Sequence, residues 1–450
     1  KRVLTIEDVE ALKPFHWGYH FDKIIEDRGG FDAIITNPPW EIFKPQAKEF
    51  FAQYSAIVTK NKMDIKKFDK EKQKLLKNPE IAQAWLEYQS QYPYMSAYYR
   101  SSEQYKNQVS VVNGRKAGTD INLYKLFVEQ CFNLLKSCGE CGIVIPSGIY
   151  TDLGSKQLRY MLFEQTQITG LFCFENRKEI FEGVHRSFKF VILTFEKNGI
   201  TQEFPAKFMR HDVQELSNFP DHDSLYINVN LVHSLSPDSL SVMEFKNETD
   251  IRIAQKMSKF PLLGANIQGK WNLKLTSEFH MTNDSHLFYQ DFQLGRLPLF
   301  EGKVIHQFTH QWGQPKYWLE EEEARKALLR KLEDNGQILN YQKYRLAFRE
   351  IARTTDIRSL IATVLPKFIF ANHKLMLSDL DKSHVTNQEL LVICGLLNSF
   401  IFDFLLRQRV TTSISMFMFY QLPVPRLTEG EPYFNEIVER AAKLICTTPE

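Results

Sequence analysis

Cysteine is scarce in this chain. The six residues Cys131, Cys138, Cys141, Cys173, Cys394 and Cys446 are scattered over 450 positions, which excludes a disulfide-stapled secreted scaffold and suits a reducing cytosol. Charge of one sign is also lacking. The 56 basic and 54 acidic residues leave a formal net charge of +2, so any nucleic-acid surface must come from local segregation of charge. Long hydrophobic runs are absent too. The most apolar stretch, Leu391 to Leu406, is interrupted by Asn398, Ser399 and Asp403 and stays short of the roughly 20 clean residues a membrane span requires. The opening Lys1-Arg2-Val3-Leu4-Thr5-Ile6-Glu7-Asp8 has no apolar signal-peptide core and starts on Lys, so it reads as an internal cut. A soluble, cytoplasmic protein is expected. Internal repeats and low-complexity tracts are missing. Zinc ligation is not expected: Cys138 and Cys141 have no second cysteine pair, and His306 and His310 lack the glutamate of a helical metalloprotease motif.

What is present is ordinary globular material, 43% hydrophobic and 24% charged, long enough for two or three domains. Phe31-Asp32-Ala33-Ile34-Ile35-Thr36 is a short apolar run between Gly29-Gly30 and Pro38-Pro39, the pattern of a buried strand in an α/β sheet. From about residue 46 to 115 the chain turns lysine- and tyrosine-rich and reads as a helical insertion. Lys60 to Lys77 carries eight lysines, a solvated helix face or a phosphate contact, the first being the usual case. Regular alternation resumes at Asp120. Leu123, Leu126, Phe127, Cys131, Leu134 and Leu135 form a helical stripe, Cys141 to Pro146 a buried strand, Ser155 to Gln165 a helix, and Ile168 to Phe174 and Phe188 to Phe195 two further strands. This is an α/β fold: the C-terminal half of a doubly wound, Rossmann-like sheet over residues 1–200, followed over 201–450 by a mixed α+β domain. The boundary is soft, between Gly199 and Lys259. Glu320 to Leu332 is expected to be helical.

Asn37-Pro38-Pro39-Trp40 follows the first strand directly, at the carboxyl edge where open α/β sheets place their ligands. An exocyclic adenine amine is a poor nucleophile because its lone pair is delocalised into the ring. Two acceptors that take its protons in hydrogen bonds make the nitrogen more tetrahedral. The Asn37 side-chain oxygen and the Pro38 carbonyl are such acceptors, and Pro38 and Pro39 fix φ so that both are held in place in advance. Trp40 offers a flat ring on which a base rotated out of a duplex can stack, worth about 1 to 3 kcal/mol. Neither a general base nor a metal is required. The bland alternative is a strand-terminating Pro-Pro turn with a buried Trp.

The tetrad does not stand alone. With Phe15-His16-Trp17, Gly30 to Thr36, Gly142-Ile143-Val144-Ile145-Pro146, Phe181-Glu182-Gly183-Val184-His185-Arg186-Ser187, Tyr344 to Arg353, Leu396-Leu397-Asn398-Ser399-Phe400 and Leu422-Pro423-Val424-Pro425, most of the chain resembles the large adenine-N6 DNA methyltransferases of type IIG restriction-modification and BREX phage-defence systems. The resemblance implies S-adenosylmethionine as cofactor in the intact parent, double-stranded DNA as substrate, and other restriction or phage-defence subunits as partners. It makes the last third a target-recognition domain and the Phe181 loop a second substrate-facing loop, with Phe181 closing the pocket of the flipped base and His185 beside it; a buried core Phe is the alternative. It also exposes a departure. The family's glycine-rich cofactor loop and the acidic residue after it lie upstream of the Asn-Pro-Pro-Trp strand, and nothing before Phe31 matches them. This polypeptide is therefore expected to be an N-terminally truncated fragment that cannot methylate alone. A nuclease on the parent stays open.

Arg345, Arg349 and Arg353 are spaced by four, which puts them on one face of a helix or of a strand. From Tyr341 to Lys374 seven basic residues face Glu350 and Asp356. Phosphate contact or guanine reading is one outcome, a solvated basic face with Arg-Glu pairs the other. Three functions remain: a methyltransferase, a DNA-specificity module without activity of its own, and RNA or protein methylation on the same fold. The tetrad argues against the second and the basic C-terminal region against the third.

Overall fold

The structure, a computed structural model, describes residues 5–447 apart from 56, 59–64, 113, 117–119, 354–355 and 411–412. Its two compact units are Lys1–Val242 and Met243–Glu450.

In the first unit the elements that matter are β1 (Phe31–Thr36), α1 (Pro79–Ser101), α2 (Leu123–Leu134), β2 (Leu135–Pro146), α3 (Lys156–Gln165), β3 (Thr166–Glu175), β4 (Lys189–Lys197), β5 (Glu203–Arg210) and β6 (Leu225–Asn228). The strands form one sheet in the order β1-β2-β4-β3-β5-β6. β1 pairs with β2, and β3 with β5, in parallel; the other pairs are antiparallel. The half of a doubly wound sheet expected from the alternation is thus a mixed sheet. The reason lies between β3 and β4, where the chain has only a loop and a short 3-10 turn. Without a crossover helix the returning strand runs antiparallel. β5 and β6 extend the same sheet, so the first unit runs to Val242 and not to residue 200. In α2 the buried apolar side chains are Tyr124, Leu126, Val128 and Cys131, with Lys125 and Glu129 buried beside them, while Phe127, placed on the stripe by spacing, is 40% exposed.

β1 lies at the end of the strand order, so among the described residues one of its edges is unpaired. Ile35 on it is 90% exposed. Asp32 on the same strand binds Lys136 at 2.5 Å and also Arg28; the Lys136 hydrogen bond, with help from Arg28, holds its carboxyl below the ordinary range.

The insertion is helical. Phe51, Phe68 and Trp85 form its small core, and the Lys72 ammonium lies 5.2 Å from the Trp85 ring. Part of the lysine run, Lys60 and Lys62, lies outside the described residues. Lys67, Lys70, Lys74 and Lys77 are exposed, as both a solvated face and a phosphate contact require.

The second unit holds β7 (Leu275–Thr276), β8 (Arg296–Phe300), β9 (Tyr317–Glu320), β10 (Arg345–Arg349), β11 (Ala362–Leu365), β12 (Phe370–Ala371) and β13 (Leu375–Ser378), then α4 (Asn387–Leu397), α5 (Phe400–Arg407) and α6 (Phe434–Ile445). Its sheets have the orders β9-β8-β12 and β11-β10-β13-β7. The helix expected over Glu320 to Leu332 spans Glu321–Leu329. The apolar stretch breaks where its polar residues sit. α4 and α5 meet at 64°, and no single helix among the described residues is long and apolar enough to cross a membrane. Asn398 at the break exchanges hydrogen bonds with the backbone of Ala362, and Asp403 accepts from the N–H groups of Ser359 and Leu360.

The arginine triplet does not form the one exposed face that its spacing suggests. β10 is paired on both sides, and four of its five residues are buried. Arg345 is fully buried and bonds Glu278 Oε1 at 2.5 Å and the Ile369 carbonyl, while the second Glu278 oxygen accepts from Ala371 N–H. Arg349 donates its Nε to the Ile305 carbonyl at 3.1 Å. The two share a face, as spacing by four requires, but that face is interior, and Arg345 is not available to DNA. Arg353 lies beyond the strand and is exposed.

Removing one member of a buried ion pair leaves an uncompensated charge. Arg345→Ala is expected to destabilise the second unit by about 3 to 5 kcal/mol, measured by urea unfolding. Arg345→Met combined with Glu278→Leu should recover most of that loss. A midpoint unchanged in the single variant would remove the pair from the list of what holds this unit together.

Candidate active site

β1 delivers its chain end beside its parallel neighbour β2, and the tetrad begins one residue beyond Thr36. Asn37 is exposed, Pro38 buried, Pro39 exposed and Trp40 half-buried. The Trp40 indole N–H is shared: it donates to Asn37 Oδ1 at 3.1 Å and to the Val144 carbonyl on β2 at 3.3 Å. Because only the amide oxygen can accept from an indole, this bond fixes which end of the Asn37 amide faces Trp40. An amide oxygen has two lone-pair directions, so one acceptor direction is left.

Trp40 does not stand open. Its ring lies parallel to Phe188 (centroids 5.6 Å, 11°), close to parallel with Phe190 (5.9 Å, 29°), and edge-on to Phe181 (5.0 Å, 72°). Phe190 also meets Phe174 at 5.2 Å, tying the cluster to the sheet core. Aromatic pairs of this kind contribute about 0.5 to 1.5 kcal/mol beyond their buried area. The open stacking platform expected of Trp40 is thus a cluster in which Phe188, 37% exposed, covers Trp40.

The loop from β3 to β4 is folded by Asn176, which the sequence reading passed over. Asn176 is fully buried. Its amide nitrogen donates to the carbonyls of Phe181 (2.9 Å) and Val184 (2.8 Å), and its oxygen accepts from Phe181 N–H (2.9 Å). An Asn directly after a strand is the available signal, since its short amide satisfies loop backbone that has no ladder partner. The structure therefore brings Asn37, Trp40 and Phe181 together and adds Val144, Phe188 and Phe190. His185 is exposed, its ring bonded to Ser187 Oγ at 2.8 Å, and it meets the aromatic cluster through its backbone carbonyl, which accepts Phe188 N–H at 2.9 Å.

The insertion holds the chain just beyond the tetrad. Phe43 packs against Tyr92 (5.0 Å) and Tyr99 (5.5 Å) of α1, and Tyr88 Oη accepts both Gln46 N–H and the Tyr92 hydroxyl. Burial, with Tyr88 as neighbour, pushes the Tyr92 hydroxyl up to about 12. On the other side of the same loop, Phe43 N–H donates to the Ile121 carbonyl at 2.7 Å.

A nucleoside cofactor finds less. Gly29-Gly30, the one glycine pair before β1, lies at the strand's amino end, opposite Asn37. Gly30 is already packed so that a Cβ would stand 2.4 Å from the Leu134 carbonyl. Among the described residues before β1, no glycine loop followed by a carboxylate borders the carboxyl edge. The described residues at this edge do not make a cradle for S-adenosylmethionine. Nor do the described residues hold a group of three or more His, Cys, Asp or Glu side chains placed for a metal ion.

Residues 93–181, from the second half of α1 to Phe181, match the Eco57I restriction-modification methylase family. A "Putative type II restriction enzyme and methyltransferase" of Methanocaldococcus jannaschii is 49% identical over 45 residues, 10% of this chain and 4% of that protein. Among solved structures, a nuclease-deletion mutant of the type ISP restriction-modification enzyme LlaGI in complex with a DNA substrate mimic is 13% identical, with 99% of this chain and 37% of that one covered and a TM-score of 0.47. The type IIG restriction endonuclease BpuSI is 12% identical, with 74% and 45% covered and a TM-score of 0.31. The chain spans less than half the length of each of these proteins.

Asn176→Ala removes three hydrogen bonds from one buried side chain and leaves backbone groups unsatisfied. A cost of about 1 to 3 kcal/mol is expected, expressed as faster amide exchange over residues 181–184 with the strands still protected. Uniformly faster exchange across the whole sheet would mean that Asn176 holds the fold and not the loop.

Proposed function

We propose that this chain is the catalytic edge, and in its second unit the target-recognition part, of a site-specific DNA methyltransferase. The reaction is transfer of a methyl group from S-adenosylmethionine to adenine N6 of double-stranded DNA, within a restriction-modification or phage-defence system. The observation that carries this reading is the Asn37 amide oxygen at the carboxyl end of β1, oriented by Trp40 and backed by Phe181, Phe188 and Phe190.

The chemistry asked of these residues is acceptance of two protons in hydrogen bonds. Asn37 Oδ1, with one direction engaged by Trp40, accepts one adenine N–H in the other. The Pro38 carbonyl accepts the second. Both acceptors are fixed before the base arrives, so no reorganisation is needed as positive charge develops on the amine. A base rotated out of the duplex enters against the exposed Phe188 ring, which Trp40 and Phe181 back and which supplies stacking in place of its former neighbours. The unpaired edge of β1 and the exposed Ile35 support a further element of the reading: strands of the same protein cover this edge and carry the cofactor loop. DNA is the partner of the second unit, and of the three arginines Arg353 is the one free to reach it.

In the protein bearing the whole methyltransferase sheet, Asn37→Ala should lower adenine methylation by at least about 100-fold while DNA affinity stays within a few-fold. Trp40→Phe keeps the ring and deletes the N–H, so it should cost about tenfold, the worth of one hydrogen bond. Methylation assays on the two variants check both, and a near wild-type rate for Asn37→Ala would end the mechanism. The 450-residue chain alone is expected to bind S-adenosylmethionine weakly or not at all in calorimetry; micromolar binding would refute the incomplete site.

A further inference from the structure

The second unit contains a cleft of about 840 Å³. Its walls include the rings of Phe292, Trp318 and Phe368, with His310, Gln311, Gln314 and Lys367 among the polar groups. None of its lining residues is acidic, in a chain with 54 carboxylate side chains. Lys367 is exposed and sits 5.3 Å from the Tyr344 ring, with no carboxylate partner among the described residues. Both glutamines are exposed, and no hydrogen bond engages either amide among the described residues. Phe368 is held in an unusual state. Its backbone has φ of +62°, its ring is 46% exposed, and its N–H is fixed to the carbonyl of the fully buried Tyr341 at 2.8 Å. A left-handed backbone in a non-glycine residue costs energy that packing must supply, and here it presents an apolar ring at a cleft.

Flat rings, unengaged amides and a lone cation with no anion nearby match the chemistry of a nucleotide. The rings stack on a base, an amide reads donor and acceptor on a base edge, and an ammonium faces a phosphate. A cleft of this size admits one base and not a duplex. We propose that this cleft binds a single unstacked nucleotide of a DNA strand, a second base site whose residues are separate from the Asn37 acceptor. The inference rests on the reading of the chain as acting on DNA.

The test uses the 450-residue chain, a mixed-sequence single-stranded 12-mer and 5′-dAMP, followed by tryptophan fluorescence. Both should bind, and each should displace the other. Phe368→Ala should weaken the 12-mer at least about fivefold, the lower end of base stacking. Lys367→Ala should reduce the salt slope by about 0.7. Because Phe368→Ala could disturb the fold, the surface variant Gln311→Ala/Gln314→Ala is measured beside it and should shift the preference among the four mononucleotides. Asn37→Ala should change none of these values. The proposal is overturned if the chain binds neither probe, if the Phe368 and double-Gln variants bind as wild type, if inorganic phosphate competes as well as 5′-dAMP, or if a proline-rich peptide occupies the cleft and the nucleotides do not. Failure of the wild-type chain to bind either probe, with methylation by the intact protein still abolished by Asn37→Ala, removes the inference alone. Retention of the site with Asn37→Ala fully active removes the methyltransferase mechanism alone.

Discussion

One indole N–H organises the candidate site. Trp40 Nε1 lies between Asn37 Oδ1 and the Val144 carbonyl, so it ties the residue after β1 to the adjacent strand β2. Parallel pairing brings the two strand ends to the same edge of the sheet. Proline rigidity limits the tetrad's backbone, but only the indole settles the direction of the amide. The catalytic proposal depends on that direction, because an amide turned the other way would present N–H groups to an amine that needs acceptors.

The aromatic cluster is the second constraint, and it comes from topology. Phe181, Phe188 and Phe190 reach Trp40 because β4 inserts antiparallel between β2 and β3. The loop that makes the reversal must pass the carboxyl edge. Asn176 gives that loop a shape by satisfying three backbone groups, so loop and tetrad are positioned by different elements that meet at one ring. On the far side, the helical insertion fixes Phe43 and Gln46 through the tyrosines of α1. The tetrad is thereby held from the sheet, from the β3–β4 loop and from the insertion.

The second unit handles charge differently from its sequence impression. Its basic segment over residues 341–374 sends Arg345 inward to Glu278 and Arg349 to a backbone carbonyl. The positive charge counted over residues 341–374 is therefore partly spent on internal bonding, and a contact surface has to be sought at Arg353 and at the aromatic cleft around Phe368.

The sequence by itself determined where the Asn37-Pro38-Pro39-Trp40 tetrad stands in the fold. An apolar run ended by Asn-Pro-Pro-Trp leaves few alternatives to a strand that stops at a sheet edge, because two prolines cannot continue the ladder. It also determined the helix and strand that follow Asp120, where periodicity is strong, and the break at Asn398-Ser399 in the apolar stretch. Tertiary structure decided the rest. Spacing by four placed Arg345 and Arg349 on one face but could not tell which face a neighbouring strand covers, and pairing on both sides of β10 buried it. Periodicity could not show that β4 lodges between β2 and β3, since register and strand order depend on long-range partners. Nor could a single residue type announce Asn176 or Phe188: a buried Asn and a half-exposed Phe acquire their roles from the loop and the indole beside them, which lie far away along the chain and meet only in the fold.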